Sequence, residues 1–286
     1  MSKAISTSFI IPHYNDVKTI GRTISHLIKV SGKSSCIKVL DDGSSFEISQ
    51  QLALELEKYP QVQLCKRRDN LGIGPTLVEG LVSIKTALAG FTSANDYYLN
   101  TNYFRVAEIK LLRESVALCF AKAKLIDSVD ESEKGIVGWA PKKNSIISPE
   151  EFRRAVFESK VNVPGATVIG RTSMFRAVPF DFDQGPQMDT FCHLTMGMLA
   201  GVYYHHKEVA VCSVDPKSLT NNQDQGIWRK SHVSICRRWC KLGLLPLENG
   251  ALRKWLEFQS TDYLESTGES GDPKQVAQEI IQETEI

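Results

Sequence analysis

The residues with the most capacity for chemistry follow short apolar runs. Ser8–Ile11 ends at Pro12-His13-Tyr14-Asn15, and Cys36–Leu40 runs into Asp41-Asp42-Gly43-Ser44. Val62–Cys65 leads to Arg67-Arg68-Asp69-Asn70-Leu71-Gly72, and a stretch near Thr86–Phe91 leads to Ser93-Ala94-Asn95-Asp96. Carboxylates in a tight turn can accept hydrogen bonds from a base or a ribose, and Gly43 lets the backbone turn sharply. An ordinary Asp-Gly turn explains Asp42-Gly43 equally well, and a loop turn explains Asn95-Asp96. Candidates for cation chemistry are sparser. His232, Cys236 and Cys240 recur at helical spacing, but a closed zinc site wants four ligands and no fourth is evident, so a helix face is the simpler reading. His205 and His206 are adjacent on a strand and point to opposite faces, so at most one can serve a site.

These loops need elements to hold them. Each apolar run is too short for a helix and reads as a buried strand. Asp16 is predicted to cap a helix through about Val30, with Val17, Ile20, Ile24, Leu27 and Ile28 turned inward. A second helix spans about Glu47 to Lys58 and a third starts near Gly74. This alternation implies a parallel sheet covered on both faces, with ligands beyond the carboxyl ends of the strands. Further strands are expected at Val116–Ala121, Gly135–Trp139, Ala166–Gly170 and Val202–Val211, with a charged linker from Asp127 to Lys134. Ser148-Pro149-Glu150-Glu151 opens a helix, and another begins near Asp189. Ile227 to about Leu245 is helical and basic; with Trp228 and Trp239 it either packs on the core or lies on an anionic membrane surface. Beyond Phe258 acids outnumber bases, and a frayed or weakly helical tail is expected.

Composition narrows the classes. The 286 residues are 42% hydrophobic and 23% charged, ordinary for a globular chain long enough for one large core or two smaller ones. Lys+Arg 34 against Asp+Glu 33 leaves a net charge of +1, so no global field recruits nucleic acid or anionic lipid. Seven scattered cysteines suit reduced thiols. Met1–Thr7 lacks the apolar stretch and cleavage site of a signal peptide, and no apolar run reaches the roughly 18 to 20 residues of a membrane span. A cytoplasmic protein is expected, at most peripheral at the inner membrane face through 228–241, with no nucleic-acid partner.

Phe9-Ile10-Ile11-Pro12-His13-Tyr14-Asn15 followed by Val39-Leu40-Asp41-Asp42-Gly43-Ser44 resembles the opening of the family-2 glycosyltransferases of the GT-A fold: an apolar strand, Pro-x-Tyr-Asn, a helix, then a strand ending in Asp-Asp-Gly-Ser. The resemblance continues through Arg68-Asp69-Asn70-Leu71-Gly72 to Ser93-Ala94-Asn95-Asp96. It implies a Rossmann-like α/β nucleotide-diphospho-sugar transferase fold with a mostly parallel central sheet and helices on both faces. The implied organisation is a GT-A domain over 1–225, with a nucleotide-binding half at about 1–100 and an acceptor-binding half at about 101–225. A basic helical segment at 226–258 and an acidic, flexible tail at 259–286 follow.

By the same resemblance Pro12, Tyr14, Asp41, Asp42, Arg68, Asn70, Gly72 and Asn95 bind the nucleotide, with Arg68 near the phosphates. The family's fourth strand usually ends in Asp-x-Asp, which suits a hard divalent cation completed by diphosphate oxygens. Here Ser93 and Asn95 replace the two acids, leaving Asp96, with His206 as a further candidate, to hold Mn²⁺ or Mg²⁺. The segment Phe182–Phe191 is similar to the family segment bearing the general base, which assigns that role to Asp189; a helix N-cap or first-turn acid is the alternative. The implied reaction moves a sugar, with inversion, from a nucleotide-diphosphate donor such as a UDP-sugar to a hydroxyl of a saccharide or lipid-linked acceptor, as in polysaccharide biosynthesis. The polar loop Lys217–Gln225 could close over the donor. A dehydrogenase would show Gly-x-Gly-x-x-Gly after the first strand, and a phosphate-loop enzyme Gly-x-x-x-x-Gly-Lys-Ser/Thr; neither is present. A degenerate module that binds nucleotide or glycan without turnover is the main rival.

Overall fold

A computed structural model describes residues 7–31, 35–99, 101–178, 180, 182–215, 224–246 and 249–284. Its first half follows the expected alternation. Strands β1 (Thr7–His13), β2 (Cys36–Asp41), β3 (Val62–Lys66) and β4 (Leu88–Phe91) pair in parallel in the order β3-β2-β1-β4. Helices α1 (Ile20–Ser31), α2 (Phe46–Leu56) and α3 (Ile73–Ser83) connect them. Because successive strand residues face opposite ways, Phe9 and Ile11 join one core with Ile20, Ile24 and Leu27, while Ile10 joins the other with Leu77 and Leu81. Gly80 lets α3 lie close to the sheet, since a Cβ there would stand 2.7 Å from the Ile10 side chain. Helix α1 starts four residues after Asp16, whose carboxylate instead accepts the Lys18 N–H in the preceding turn.

The second half mixes strand directions. It comprises β5 (Tyr97–Tyr98), α4 (Tyr103–Arg113), β6 (Leu118–Asp127), β7 (Glu133–Val137), β8 (Ser145–Ile147), α5 (Pro149–Phe157), β9 (Ile169–Arg171), α6 (Thr172–Ala177), α7 (Met188–Ala200) and β10 (Val202–Val214). The sheet continues from β4 as β9-β6-β10-β5, with β7 on β6 and β8 on β10. Strand β9 is antiparallel to both neighbours and β6 is parallel to β10, so the sheet is mostly parallel with antiparallel insertions. The linker expected at 127–134 is the turn of a β6–β7 hairpin. Ser148 caps α5 as predicted, accepting the Glu151 N–H at 3.1 Å. The strand expected from Ala166 is shorter, because Gly165–Thr167 forms a 3-10 turn first.

Three helices close the chain: α8 (Gln225–Lys241), α9 (Asn249–Thr267) and α10 (Pro273–Thr284). Two expectations are corrected here. Residues 259–286 were expected to be a flexible acidic tail, yet 259–267 and 273–284 are helical, and Val276, Ala277 and Ile280 are buried. The acids of α10 have a purpose that composition hides, since Glu279 and Glu283 both pair with Arg229 of α8. The membrane reading of 228–241 needs outward tryptophans, but Trp228 and Trp239 are buried against Tyr263, Phe157 and Trp255. Helix α8 therefore packs its tryptophans on the core and turns Lys230, Arg237 and Lys241 outward, with Ile227 and Cys240 beside them. Among the described residues no helix is long and apolar enough to cross a membrane.

Candidate active site

Hydrogen bonds tie the three loops after β1, β2 and β3 together. Asn15, in a left-handed conformation (φ 52°), donates its N–H to Ser44 Oγ at 2.8 Å and accepts the Ser45 N–H on Oδ1 at 2.9 Å. Beneath them His13 Nδ1 lies 3.3 Å from Asp41 Oδ1. Burial alone would raise the Asp41 carboxyl, but hydrogen bonds from Ser44, Ser49 and His13 together hold it below its ordinary value. Asp42 reaches the other way: Oδ1 accepts from Arg67 Nη1 at 2.9 Å and from the Leu71 N–H at 3.1 Å, and Oδ2 from the Gly72 N–H at 2.8 Å. Gly43 has φ 73°, and a Cβ on it would stand 2.5 Å from the Asn70 nitrogen, so only glycine lets the second and third loops touch.

The sequence-derived residues consequently divide. Asp42 is engaged by three donors of the neighbouring loop and shapes that loop directly. Arg67, passed over in favour of Arg68, is the arginine that the fold holds; it also binds Glu79, Thr76 Oγ1 and the Pro75 carbonyl. Arg68 and Asn70 are exposed on the loop crest, Asn70 Oδ1 accepting the Gly72 N–H, and Tyr14 is 51% exposed.

Pro12, Asp96 and Asp189 line one cavity of about 350 Å³, together with Phe91, Thr92 and Ser93 from the end of β4 and Cys212 from β10. Its position is the crevice between β1 and β4, where the chain switches from the β1-β2-β3 side of the sheet to the other, the place where ligands of open α/β sheets bind. The loop bearing Asp96 is pinned: Thr23 Oγ1 donates to the Ala94 carbonyl at 2.8 Å, and Ser213 Oγ to the Asn95 carbonyl at 3.1 Å. Asp96 Oδ1 accepts the Ser213 N–H at 3.2 Å, yet burial dominates and pushes its carboxyl up to about 7. Asp189 arrives in the first turn of α7, after the kinked 3-10 segment Phe182–Gln187, in which Gly185 has φ 53°. Its Oδ1 accepts the Thr190 N–H at 2.7 Å, so the first-turn role coexists with cavity exposure of the carboxylate.

One neighbour escaped the sequence reading. His193, one helical turn after Asp189, is fully buried, neither ring nitrogen has a hydrogen-bond partner among the described residues, and burial lowers it to about 4, which keeps it neutral. The four-residue spacing on one helix face was the available signal.

For a divalent cation the donor set is lean but suitable. Asp96 offers a buried carboxylate, hydrogen-bonded by the Ser213 and Ser93 backbone, opening on a cavity that a second carboxylate also lines, and Mg²⁺-type sites commonly use one or two carboxylates plus substrate phosphates. Among the described residues no group of three or more His, Cys, Asp or Glu side chains is gathered for a metal. His206 does not join Asp96. Its Nδ1 contacts Asn144 Oδ1 at 2.7 Å, and it stands seven strand residues before Ser213, where Asp96 is bonded, roughly 20 Å along β10. His232 and Cys236 are buried while Cys240 is exposed, so that trio does not converge either. The loop 217–225 lies mostly outside the described residues.

Residues 8–102 match the family model described as glycosyl transferase family 2. This segment belongs to that family. It contains the four strand-end loops, through Asp96, and stops well short of Asp189. Solved structures extend the likeness in fold to nearly the whole chain. The crystal structure of S. aureus TarS 1-349 in complex with UDP-GlcNAc matches with TM-score 0.70 at 14% identity, covering 98% of this chain and 82% of that one. The complex of TarS 1-349 with UDP matches with TM-score 0.60 at 14% identity, covering 98% and 88%. A longer TarS structure is matched with TM-score 0.57 at 16% identity over 95% of this chain and 50% of its own. No curated protein sequence matches the chain. Family segment and GT-A fold together support a glycosyltransferase.

Proposed function

We propose that this family 2 glycosyltransferase transfers a sugar, with inversion, from a UDP-sugar to a hydroxyl acceptor of a glycan or lipid-linked saccharide, with Asp189 as general base. The observation that carries the reading is the convergence of Pro12, Asp96 and Asp189 on one cavity at the β1/β4 switch. A volume of about 350 Å³ lies within the range of small-molecule sites. The choice of UDP draws on the TarS structures, which are complexes with UDP-GlcNAc and UDP.

In this reading the donor's nucleotide lies over the tied loops of β1–β3, with Tyr14, Asn70 and Arg68 presented on their crest and Asp41 and Asp42 holding the loops in register. The acceptor oxygen attacks the anomeric carbon from the face opposite the diphosphate. Its proton passes to the Asp189 carboxylate as the new C–O bond forms. The bond from the anomeric carbon to the diphosphate oxygen breaks, and its electron pair leaves with UDP. Asp96 would hold Mn²⁺ or Mg²⁺ against the diphosphate, where a cation neutralises the charge that builds on the leaving group. Asn95 can add a carbonyl ligand, and we assign no metal role to His206.

The lone acid where the family usually has Asp-x-Asp favours one other reading, a module that holds nucleotide without turnover. One experiment separates the two. Thermal shift across nucleotide sugars with and without Mn²⁺ selects a donor, and UDP release with product anomer analysis by NMR then tests transfer. We expect a UDP-sugar to stabilise the protein and an inverted product to form. Nucleotide binding with no release on any acceptor would leave the binding module, and absence of nucleotide binding would overturn both.

A further inference from the structure

A second cavity, of about 280 Å³, borders the first turn of α7. Gln187 and Thr190 line it, while Pro186, Met188 and Asp189 of the same stretch line the cavity at the β1/β4 switch. Val163 and Gly165 divide in the same way. Adjacent Cα atoms are about 3.8 Å apart, so the single step from Asp189 to Thr190 separates the two linings along the chain.

Helix α9 and the turn after α5 supply most of the rest. Trp255, Phe258, Gln259 and Asp262 follow at steps of three, one and three residues and share one face of α9. Trp255 is fixed by ring contacts with Phe157 and Trp239, and Phe258 is 50% exposed. The turn after α5 brings Ser159 and Asn162. A bridge between Trp139 and Val161 ties it down, as does the Asn162 N–H, which donates to the Gly138 carbonyl at 3.4 Å. Ser159 adopts a left-handed conformation (φ 53°) just after the helix, a position that glycine fills without strain. The serine keeps a hydroxyl there instead.

This lining favours hydroxyl groups. Asn162, Gln187, Thr190, Gln259 and Asp262 present amides, a hydroxyl and a carboxylate, and none of these side chains is hydrogen-bonded to another described residue. An amide donates and accepts side by side, as the neighbouring hydroxyls of a sugar ring do, and the C–H face of such a ring suits an aromatic wall. Among the described residues of the lining Lys160 is the one cation, and it pairs with Glu158 at 2.6 Å, so a polyanion would find little attraction. The volume lies just below the usual range for small-molecule sites, which fits one sugar ring better than a nucleotide.

We propose that this cavity is a subsite for an uncharged sugar unit of the acceptor, with Ser159, Asn162, Gln187, Gln259 and Asp262 bonding its hydroxyls and Phe258 covering its C–H face. The unit bearing the attacking hydroxyl then lies on the Asp189 side of α7. The acceptor role rests on the transferase reading above; the sugar site itself does not.

The test is binding by the full chain, without turnover. Maltotriose, cellotriose and xylotriose would be titrated by saturation-transfer NMR beside trigalacturonate, with UDP affinity measured by calorimetry on the same samples. The proteins would be wild type, Asn162→Ala/Gln259→Ala, Ser159→Gly, and Lys254→Gln as an exposed control on α9, each checked by thermal melting. At least one neutral trisaccharide should bind, unaffected by salt, and the double variant should bind it roughly tenfold more weakly. Ser159→Gly should melt no lower than wild type yet bind more weakly, which separates a lost hydroxyl from a damaged fold. UDP affinity should not change in any variant, and Lys254→Gln should match wild type. No neutral trisaccharide bound, tighter binding of trigalacturonate, or wild-type sugar binding in the double variant or in Ser159→Gly would each overturn the subsite while leaving the donor reading standing. Sugar binding in a protein that binds no UDP would leave a sugar site and overturn its acceptor role together with the transferase reading.

Discussion

Two carboxylates share the cavity, and their surroundings give them different work. Asp189 stays partly open at the start of α7, where it can take a proton; Asp96 is buried against the end of β10. A base acting only in transfer stabilises the transition state and contributes little to donor binding. Asp189→Asn should therefore lower transfer by about 10²-fold or more, with UDP affinity and melting temperature nearly unchanged. A parallel loss of UDP affinity in calorimetry would sink the assignment. Asp96 carries a signature in pH. Its carboxyl is raised to about 7 in the folded protein from an ordinary 3.8, so the folded state holds this proton more tightly than the unfolded chain. The resulting stability is fully present below about pH 3.8 and is lost as pH rises through 7. In EDTA-treated protein Asp96→Asn should remove that decline, gaining on wild type as pH rises toward neutrality. Cations compete with the same proton, so stabilisation by Mn²⁺ should grow toward pH 7 in wild type and be lost in Asp96→Asn. Equal Mn²⁺ shifts in both proteins would exclude Asp96 as the ligand.

At the scale of elements, the loops after β1, β2 and β3 lock one another. Asp42 is a hub for Arg67, Leu71 and Gly72, so its loss should cost stability as well as affinity. Removing one partner of a buried charge pair costs about 3 kcal/mol. Asp42→Ala should thus lower both the melting temperature and UDP binding, unlike Asp189→Asn. An unchanged melting temperature with weakened UDP binding would mean that Asp42 serves the ligand alone. Gly43→Ala tests the same joint from the backbone. The left-handed conformation costs a side chain about 1–2 kcal/mol, and the new methyl would meet the Asn70 nitrogen. Wild-type UDP affinity in Gly43→Ala would show that contact between these two loops is not needed for the pocket.

Across the whole molecule, the three C-terminal helices cover the core face opposite α1 and α4 and, through α9, set one wall of the cavity beside Thr190. Charge complementarity between Arg229 and the acids of α10 suggests an electrostatic clamp, but side chains about a third exposed contribute little, under about 1 kcal/mol per pair. The buried Ile280 should matter more, since emptying a fully buried isoleucine costs roughly 2–5 kcal/mol. Ile280→Ala should accordingly lower the denaturation midpoint well beyond Glu283→Gln in urea titrations, with UDP affinity preserved in both. The reverse ranking would make the ion pairs the main tether of α10.

The sequence by itself determined the parts that depend on neighbours in the chain. Alternation of apolar runs and helical stripes specified β1 to β4 with α1 to α3, and turn chemistry specified the loops at Pro12, Asp41-Asp42-Gly43 and Asp96, because period and turn preference are local properties. The Ser148 cap was legible for the same reason. Tertiary structure decided the rest. Whether Arg67 or its neighbour Arg68 turns inward depends on how the loop meets Asp42, and whether His206 can reach Asp96 depends on the register of β10. The acidic composition of the last residues reads as a solvated tail until Arg229 and the apolar stripe of Val276, Ala277 and Ile280 meet α8 and α9. That Asp189 and Asp96 open on one cavity, though 93 residues separate them in the chain, follows from β9 and β10 completing the sheet that β4 begins. Pairing between distant strands is set by the packing of the entire sheet, and no local pattern encodes it.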